Sequence, residues 1–173
     1  LPPVAIHLYK KIPVGAGFGG GSSDAAATLI LLNKMFSLDL TDEVLAGHAA
    51  SLGSDCPFFI YNRPMYATGR GEVLTPVEIS LEDYRIELVI PDLFISTKEA
   101  YAGVTPRKPV ESILDIIKRP MEEWRGLLKN DFEESLFLKY PGLAAQKEAL
   151  YSRGAVYASM SGSGSALYGL FKK

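Results

Sequence analysis

The stretch Pro13-Val-Gly-Ala-Gly-Phe-Gly-Gly-Gly-Ser-Ser-Asp-Ala-Ala-Ala-Thr28 decides how the chain reads. Five glycines fall within Gly15–Gly21, hydroxyls follow at Ser22 and Ser23, and then a run of helix formers begins. Glycine reaches positive φ without steric cost and lets a ligand approach the main chain. A helix starting behind such a loop aims unbonded N–H groups and the positive end of its dipole into the space the glycines line. That combination points to phosphate. A flexible linker has a similar composition, but a linker is not bounded by a strand-like segment and an apolar helix.

Those flanks are visible on both sides. Val4, Ile6 and Leu8 alternate with Ala5, His7 and Tyr9, which predicts a half-buried strand over Val4–Ile12 that Pro13 ends. Beyond the glycines, Ala25, Leu29, Leu32, Met35 and Phe36 form an apolar stripe. The stripe predicts a helix over Ser22–Phe36, with Ser22, Ser23 or Asp24 capping its first turn. A P-loop requires Lys followed by Ser or Thr after its second glycine, and Ser22-Ser23-Asp24 stands here instead. The protein-kinase loop lies between strands, whereas a helix follows here. Gly15, Gly17 and Gly20 do match a dinucleotide fingerprint, with Asp39 near the ribose-binding distance. Against it, Lys10, Lys11 and Pro13 sit at the strand end that a parallel sheet would bury.

Further along, Thr41 predicts the cap of a second helix, with Asp42 and Glu43 in its first turn and Gly53 at its end. Val44, Leu45, His48 and Leu52 make its expected inner face, so His48 reads as a structural histidine and His7 as an ordinary strand position. Asp55 lies between that helix end and the apolar run Cys56–Tyr61. A capping carboxylate and a carboxylate at the lip of a pocket both fit this position. Cys56 reads as packing. Met65–Thr68 and Val73–Val77 predict two strands around Gly69-Arg-Gly-Glu72. Ser80–Asp83 is a polar connection suited to a domain boundary, Tyr84–Ile90 alternates as a strand, and Ser96-Thr-Lys-Glu99 has the spacing of a capping box. Helices are expected over Lys108–Arg119, over Pro120–Leu128, and from Pro141 to Gly154. Ala155–Ser159 and Ala166–Phe171 read as strands flanking a second glycine-serine loop, Ser161-Gly-Ser-Gly-Ser165. Strands and helices intersperse without a βαβα rhythm, which favours an α+β fold.

The chain's 173 residues, 47% hydrophobic and 22% charged, supply ample core. Its 18 basic and 20 acidic residues leave a net charge of −2, which argues against nucleic-acid binding through a generally basic surface. An anionic ligand needs local positive charge, and Lys10 and Lys11 precede the glycine loop. The single cysteine excludes an intrachain disulfide and suits a reducing, cytoplasmic compartment. No apolar run approaches a membrane span.

The pattern of residues 13–26 resembles the second motif of the galactokinase, homoserine, mevalonate and phosphomevalonate (GHMP) kinase superfamily, and Met160–Ala166 resembles its third motif. Leu52–Phe59, Ala67–Pro76 and Asn130-Asp-Phe-Glu133 narrow the match to one branch. Its members phosphorylate the tertiary C2 hydroxyl of a cytidine-diphosphate-linked sugar alcohol in non-mevalonate isoprenoid precursor synthesis. Mevalonate-type and homoserine-type kinases, and a non-catalytic nucleotide-binding fragment, stay open as alternatives. The resemblance implies an α+β GHMP kinase fold: a ribosomal-protein-S5-domain-2-like ATP-binding part over 1–79, incomplete at its N-terminus, and a ferredoxin-like C-terminal domain over 80–173. It implies ATP and Mg²⁺ as cofactors, with no nucleic-acid or membrane partner and a homodimer left open. Lys10, Pro13, Val14, Gly15, Ala16, Gly17, Phe18, Gly19, Gly20, Gly21, Ser22 and Ser23 would surround the nucleotide, with main-chain N–H groups from Gly17 to Ser23 as donors. Ser22 would contribute to Mg²⁺ together with phosphates and water. Asp55 falls on the catalytic aspartate, and Tyr101 on an aromatic ring that stacks on cytosine. Ser161, Gly162 and Ser163 would border the substrate while their loop packs against the first. Members carry a further motif upstream, with a lysine partner for the aspartate and cytosine-recognising residues. Nothing like it precedes Leu1, so the resemblance implies a piece of a longer protein.

Overall fold

The computed structural model describes residues 1–173. Packing divides them into two units, one of Leu1–Val14 with Gly19–Glu78 and the other of Gly15–Phe18 with Ile79–Lys173.

The first unit holds helices α1 (Gly20–Met35), α2 (Asp42–Ala50) and α3 (Cys56–Tyr61), then strands β1 (Met65–Thr68) and β2 (Val73–Pro76). Thr41 caps α2, its hydroxyl accepting from Val44 N–H at 3.5 Å. Pro57 fits the first turn of α3, where its missing N–H costs nothing, and Asn62 ends that helix in the left-handed region. Between α1 and α2 the Asn33 amide donates to Leu40 O at 3.0 Å and accepts from Leu40 N–H at 3.1 Å. This paired contact holds a turn in which Ser37 and Asp39 take positive φ. The core is small: Ala26, Leu45, Ala46, Ala49, Cys56 and Ile60. Strands β1 and β2 pair antiparallel from Met65↔Pro76 to Thr68↔Val73. Gly69 and Gly71 supply the positive φ that this turn needs.

The second unit is built on an antiparallel sheet of β3 (Tyr84–Val89), β4 (Tyr157–Met160) and β5 (Leu167–Lys172), in the order β3-β5-β4. The register runs from Tyr84↔Lys172 to Val89↔Leu167 on one side of β5 and from Tyr157↔Leu170 to Met160↔Leu167 on the other. Its helices are α4 (Thr97–Ala102), α5 (Ile113–Ile116), α6 (Phe132–Lys139) and α7 (Pro141–Ser152). Side chains alternate across a strand. Ala158, Met160, Leu167 and Phe171 therefore share one face with Leu136, Leu143 and Leu150 of α6 and α7. Tyr157 and Leu170 share the opposite face with Ile116, Met121 and Trp124. Both faces are covered, and burying leucines such as Leu143 and Leu150 is worth about 2 kcal/mol each.

Several expectations are corrected. Residues 4–12 form no strand, and Val4, Ile6, Leu8, Tyr9 and Ile12 are exposed. Alternation alone does not make a strand, because the ladder needs partner N–H and C=O groups, and this segment finds none. The inner face of α2 is Leu45, Ala46 and Ala49, which leaves Val44, Leu52 and His48 exposed. His48 is therefore not a core histidine. The two helices expected over 108–128 shrink to the single turn of α5 and a 3₁₀ turn at Met121–Glu123. Pro120 disfavours helical backbone at Arg119, and Gly126 leaves the helical region at φ 81°. Helix α1 begins at Gly20 rather than Ser22, and no side chain caps it.

Candidate active site

The N-cap of α1 is Gly19 itself, left-handed at φ 65° and ψ 22°. Gly15 and Gly17 also take positive φ, at 76° and 81°, whereas Ala16 and Phe18 between them do not. Alternation of this kind turns successive N–H groups toward a common concavity and makes an anion nest. The first helical bond of α1 runs from Ser23 N–H to Gly19 O at 2.9 Å. The N–H groups of Gly20, Gly21 and Ser22 therefore remain available, while Ser23 offers only its hydroxyl. A Cβ on Gly20 or Gly21 would meet nothing within 4 Å, so no packing within the protein requires glycine there. Lys10 pairs with Asp24 of α1 at 2.8 Å, and the first turn of that helix holds no acidic residue to oppose an anion.

The preceding residues, Gly15–Phe18, are seated in the second unit. Ser161 donates its hydroxyl to Gly17 O at 2.8 Å, and Ala166 N–H donates to Ala16 O at 3.2 Å. A Cβ on Gly17 would fall under 3.0 Å from the carbonyl oxygens of Ser161 and Gly164, so only glycine fits. A Cβ on Gly15 would stand 2.6 Å from the Phe94 ring. Gly15–Phe18 and the Ser161–Ser165 loop thus form one packed piece within the second unit.

Asp55 belongs to the first unit, at the N-cap position of α3. Its side chain makes no capping bond, which removes the capping explanation. It is exposed, and a carboxylate oxygen lies 3.6 Å from where a Cβ of Gly71 would stand, so the β1–β2 turn backs it. Cys56 beside it is 3% exposed and packs in the core. Tyr101, in the second unit, is exposed and touches Phe132 edge-on at 5.0 Å, leaving a ring face free. No group of three or more His, Cys, Asp or Glu side chains forms a cation cage. A magnesium ion therefore fits here only with most of its ligands from phosphate oxygens and water.

Sequence reasoning left Asn130 and Glu133 without a role. The Asn130 amide donates to Met160 O and Gly162 O, both at 2.8 Å. Glu133 accepts from Met160 N–H at 2.8 Å and from the Ser159 hydroxyl at 3.2 Å. The signal available was the placement of an Asn-x-x-Glu stretch just before a helix, which reads by default as a local cap. Nearby, burial pushes the Tyr157 and Tyr168 hydroxyls up from their ordinary value of 10.0.

Residues 2–63 match the family model of the GHMP kinases N terminal domain, and residues 112–173 match that of the GHMP kinases C terminal domain. The chain belongs to the GHMP kinase family. Among relatives, a 4-diphosphocytidyl-2-C-methyl-D-erythritol kinase of Bacteroides fragilis is 53% identical over 171 residues, covering 99% of this chain and 62% of the relative. The protein of the same name from Bacteroides thetaiotaomicron is 54% identical over 172 residues, with 99% and 63% covered. The chain thus spans less than two thirds of the length of these curated relatives. The crystal structure of a 4-(cytidine 5'-diphospho)-2C-methyl-D-erythritol kinase superposes with a TM-score of 0.74 at 35% identity, over 93% of this chain and 59% of that one. A homoserine kinase from Cytophaga hutchinsonii, at 17% identity and a TM-score of 0.65 over 95% and 59% of the two chains, shares the fold. In GHMP kinase terms, the helix start at Gly20 falls within the N-terminal family region and the Ser161–Ser165 loop within the C-terminal one.

Proposed function

We propose that this chain carries the phosphate loop and the acceptor-facing carboxylate of an ATP-dependent kinase acting on 4-diphosphocytidyl-2-C-methyl-D-erythritol. The observation that carries the reading is the glycine-lined start of α1, where the N–H groups of Gly20, Gly21 and Ser22 are free and nothing in the protein fills the space beside the two glycines. Three convergent N–H donors and a helix dipole favour a multiply charged anion, and a triphosphate supplies it. Lys10 offsets the charge of Asp24, the carboxylate nearest that helix end, so that it does not oppose the anion. The relatives at 53% and 54% identity favour this acceptor over other small alcohols.

In the transfer, the C2 hydroxyl oxygen bonds to the γ-phosphorus, the bond from that phosphorus to the β–γ bridging oxygen breaks, and ADP leaves. The hydroxyl proton passes to Asp55, whose carboxylate is exposed and free of a cap bond, and from there to water. The loop's task is to position the phosphoryl group and stabilise its charge rather than to form a covalent intermediate. Ser22, with phosphate oxygens and water, would hold a magnesium ion that offsets charge on the β- and γ-phosphates. The free face of Tyr101 suits stacking on the cytosine. The Ser161 hydroxyl already donates to Gly17 O, so Gly162 and Ser163 are the better candidates for acceptor contacts. We place the reaction in the cytoplasm, where ATP is available and Cys56 stays reduced.

The test uses the full-length protein with coupled ADP detection. Asp55→Asn should lower kcat by about 100-fold or more while KM for ATP stays within about threefold. Turnover within threefold of the parent would remove Asp55 from the chemistry. Phosphorylation of mevalonate or homoserine but not of the cytidyl alcohol would overturn the acceptor.

A further inference from the structure

We infer that Asn130 and Glu133 are positioning residues for nucleotide binding, acting on the phosphate loop through the Ser159–Gly162 segment. The inference rests on the kinase reading above and adds the residues that set the loop's place.

The bonds form a chain of named atoms. Asn130 lies where α6 begins, and its Oδ1 accepts from Phe132 N–H at 3.0 Å, which fixes the amide plane. With Oδ1 so engaged, both protons of Nδ2 point the other way, to Met160 O and Gly162 O. One side chain thereby grips the carbonyls on both sides of Ser161. Glu133, on the first turn of the same helix, takes Met160 N–H and the Ser159 hydroxyl on one carboxylate oxygen. Its other oxygen pairs with Lys147 of α7, and the two side chains are only 12% and 18% exposed. The N–H and C=O of Met160 and the C=O of Gly162 are all held by this one short stretch. The next atoms outward are the Ser161 hydroxyl and, 2.8 Å beyond it, Gly17 O.

Two other roles are disfavoured by the same geometry. A pocket of about 510 Å³ opens beside Asn130, Tyr157 and Ser159, so a ligand contact is the obvious alternative. An asparagine side chain has two donors and one acceptor oxygen. Both donors and one lone pair of Asn130 are already engaged with the main chain, which leaves little to offer a ligand. A purely local cap would account for the Phe132 bond, yet not for two bonds that reach some thirty residues along the chain.

The experiment compares the full-length parent with Asn130→Asp and Ser161→Ala. Asn130→Asp keeps shape and the Phe132 bond but sets a carboxylate oxygen against two carbonyl oxygens. It should raise KM for ATP about tenfold to a hundredfold, the range expected for one or two lost hydrogen bonds. kcat with ATP and the alcohol both saturating should stay within about threefold. Ser161→Ala removes only the outermost link and should raise KM for ATP about fivefold; it keeps the test open if Asn130→Asp does not fold. A merely structural role would lower the active fraction, and so the apparent kcat, while leaving KM for ATP unmoved; that result overturns the inference. Deuterium uptake in peptides spanning 15–19 and 160–166, measured without nucleotide, reads the mechanical link separately. Faster uptake in Asn130→Asp is expected, and unchanged uptake would refute the link even if the parent showed no ATP-dependent turnover. Failure of the parent to use ATP would instead count against the kinase reading.

Discussion

Replacing Gly17 with alanine tests the seat of the phosphate loop most directly. Two costs arise if the backbone stays where it is. An L-residue at φ 81° is strained by about 1–2 kcal/mol. The new methyl would also stand 2.9 Å from Gly164 O and closer still to Ser161 O, and main-chain oxygens cannot rotate aside as a side-chain tip would. Overpacking of this kind costs about 1–3 kcal/mol, so holding the seat costs about 2–5 kcal/mol in total. The alternative is to let Gly15–Phe18 lift away, giving up the Ser161–Gly17 and Ala166–Ala16 hydrogen bonds at about 1 kcal/mol each. The cheaper route wins. Gly17→Ala should therefore lose about 2 kcal/mol of stability, and it should lose the seat altogether. In the full-length protein, urea unfolding should show that loss with an unchanged m-value. A nucleotide titration should show affinity for ATP reduced at least tenfold. A stability change below about 0.5 kcal/mol together with ATP affinity within twofold would show that the seat does not exist as described.

Gly20→Ala and Gly21→Ala should behave in the opposite way. Their Cβ atoms meet nothing in the protein, and both positions are helical, so each should stabilise the unliganded fold by about 0.5 kcal/mol. Each should nevertheless weaken ATP binding, because the methyl enters the space assigned to phosphate; calorimetry with and without nucleotide separates the two effects. Alkaline unfolding gives an independent test of the second core. Burial holds the proton on Tyr157 when the unfolded chain, titrating near 10.0, has begun to lose it. The folded state then binds more protons, so stability is undiminished below pH 10 and falls above it by about 1.4 kcal/mol per pH unit for each such tyrosine. Tyr157→Phe gives up the bond to Leu128 O, at about 1 kcal/mol, but should flatten that slope measurably.

What could be read from the sequence follows from how local the deciding physics is. Glycine φ preferences, the Thr41 and Ser96 caps, the Pro141 start and the β1–β2 turn depend on neighbours within a few residues, and all take form where the pattern places them. The start of α1 differed because Gly19 serves as cap without a side chain. The expected strand at 4–12 failed because pairing is a property of two segments, and periodicity describes only one. For His48, a one-residue rotation of α2 toward its alanines was enough to move it from core to surface. At the candidate site, the open helix start was legible in the glycines. The hold of Asn130 and Glu133 on residues 159–162 was not, because hydrogen bonds across so long a separation leave no spacing pattern.

Strand β5 is the latest of the elements in chain order, yet it is the middle strand of its sheet. Neither β3 nor β4 has another partner. While the chain is being synthesised, β3 must wait for more than eighty residues to emerge before Tyr84 meets Lys172. During that interval Ile86, Leu88 and their unpaired main-chain groups are open to adhesion with other chains. Closing so long a loop also makes sheet formation slow relative to the helices. Overexpressed protein should therefore partition between soluble and aggregated forms according to how fast residues 167–172 reach their place. Changes that slow this last step should lower yield without altering the finished fold.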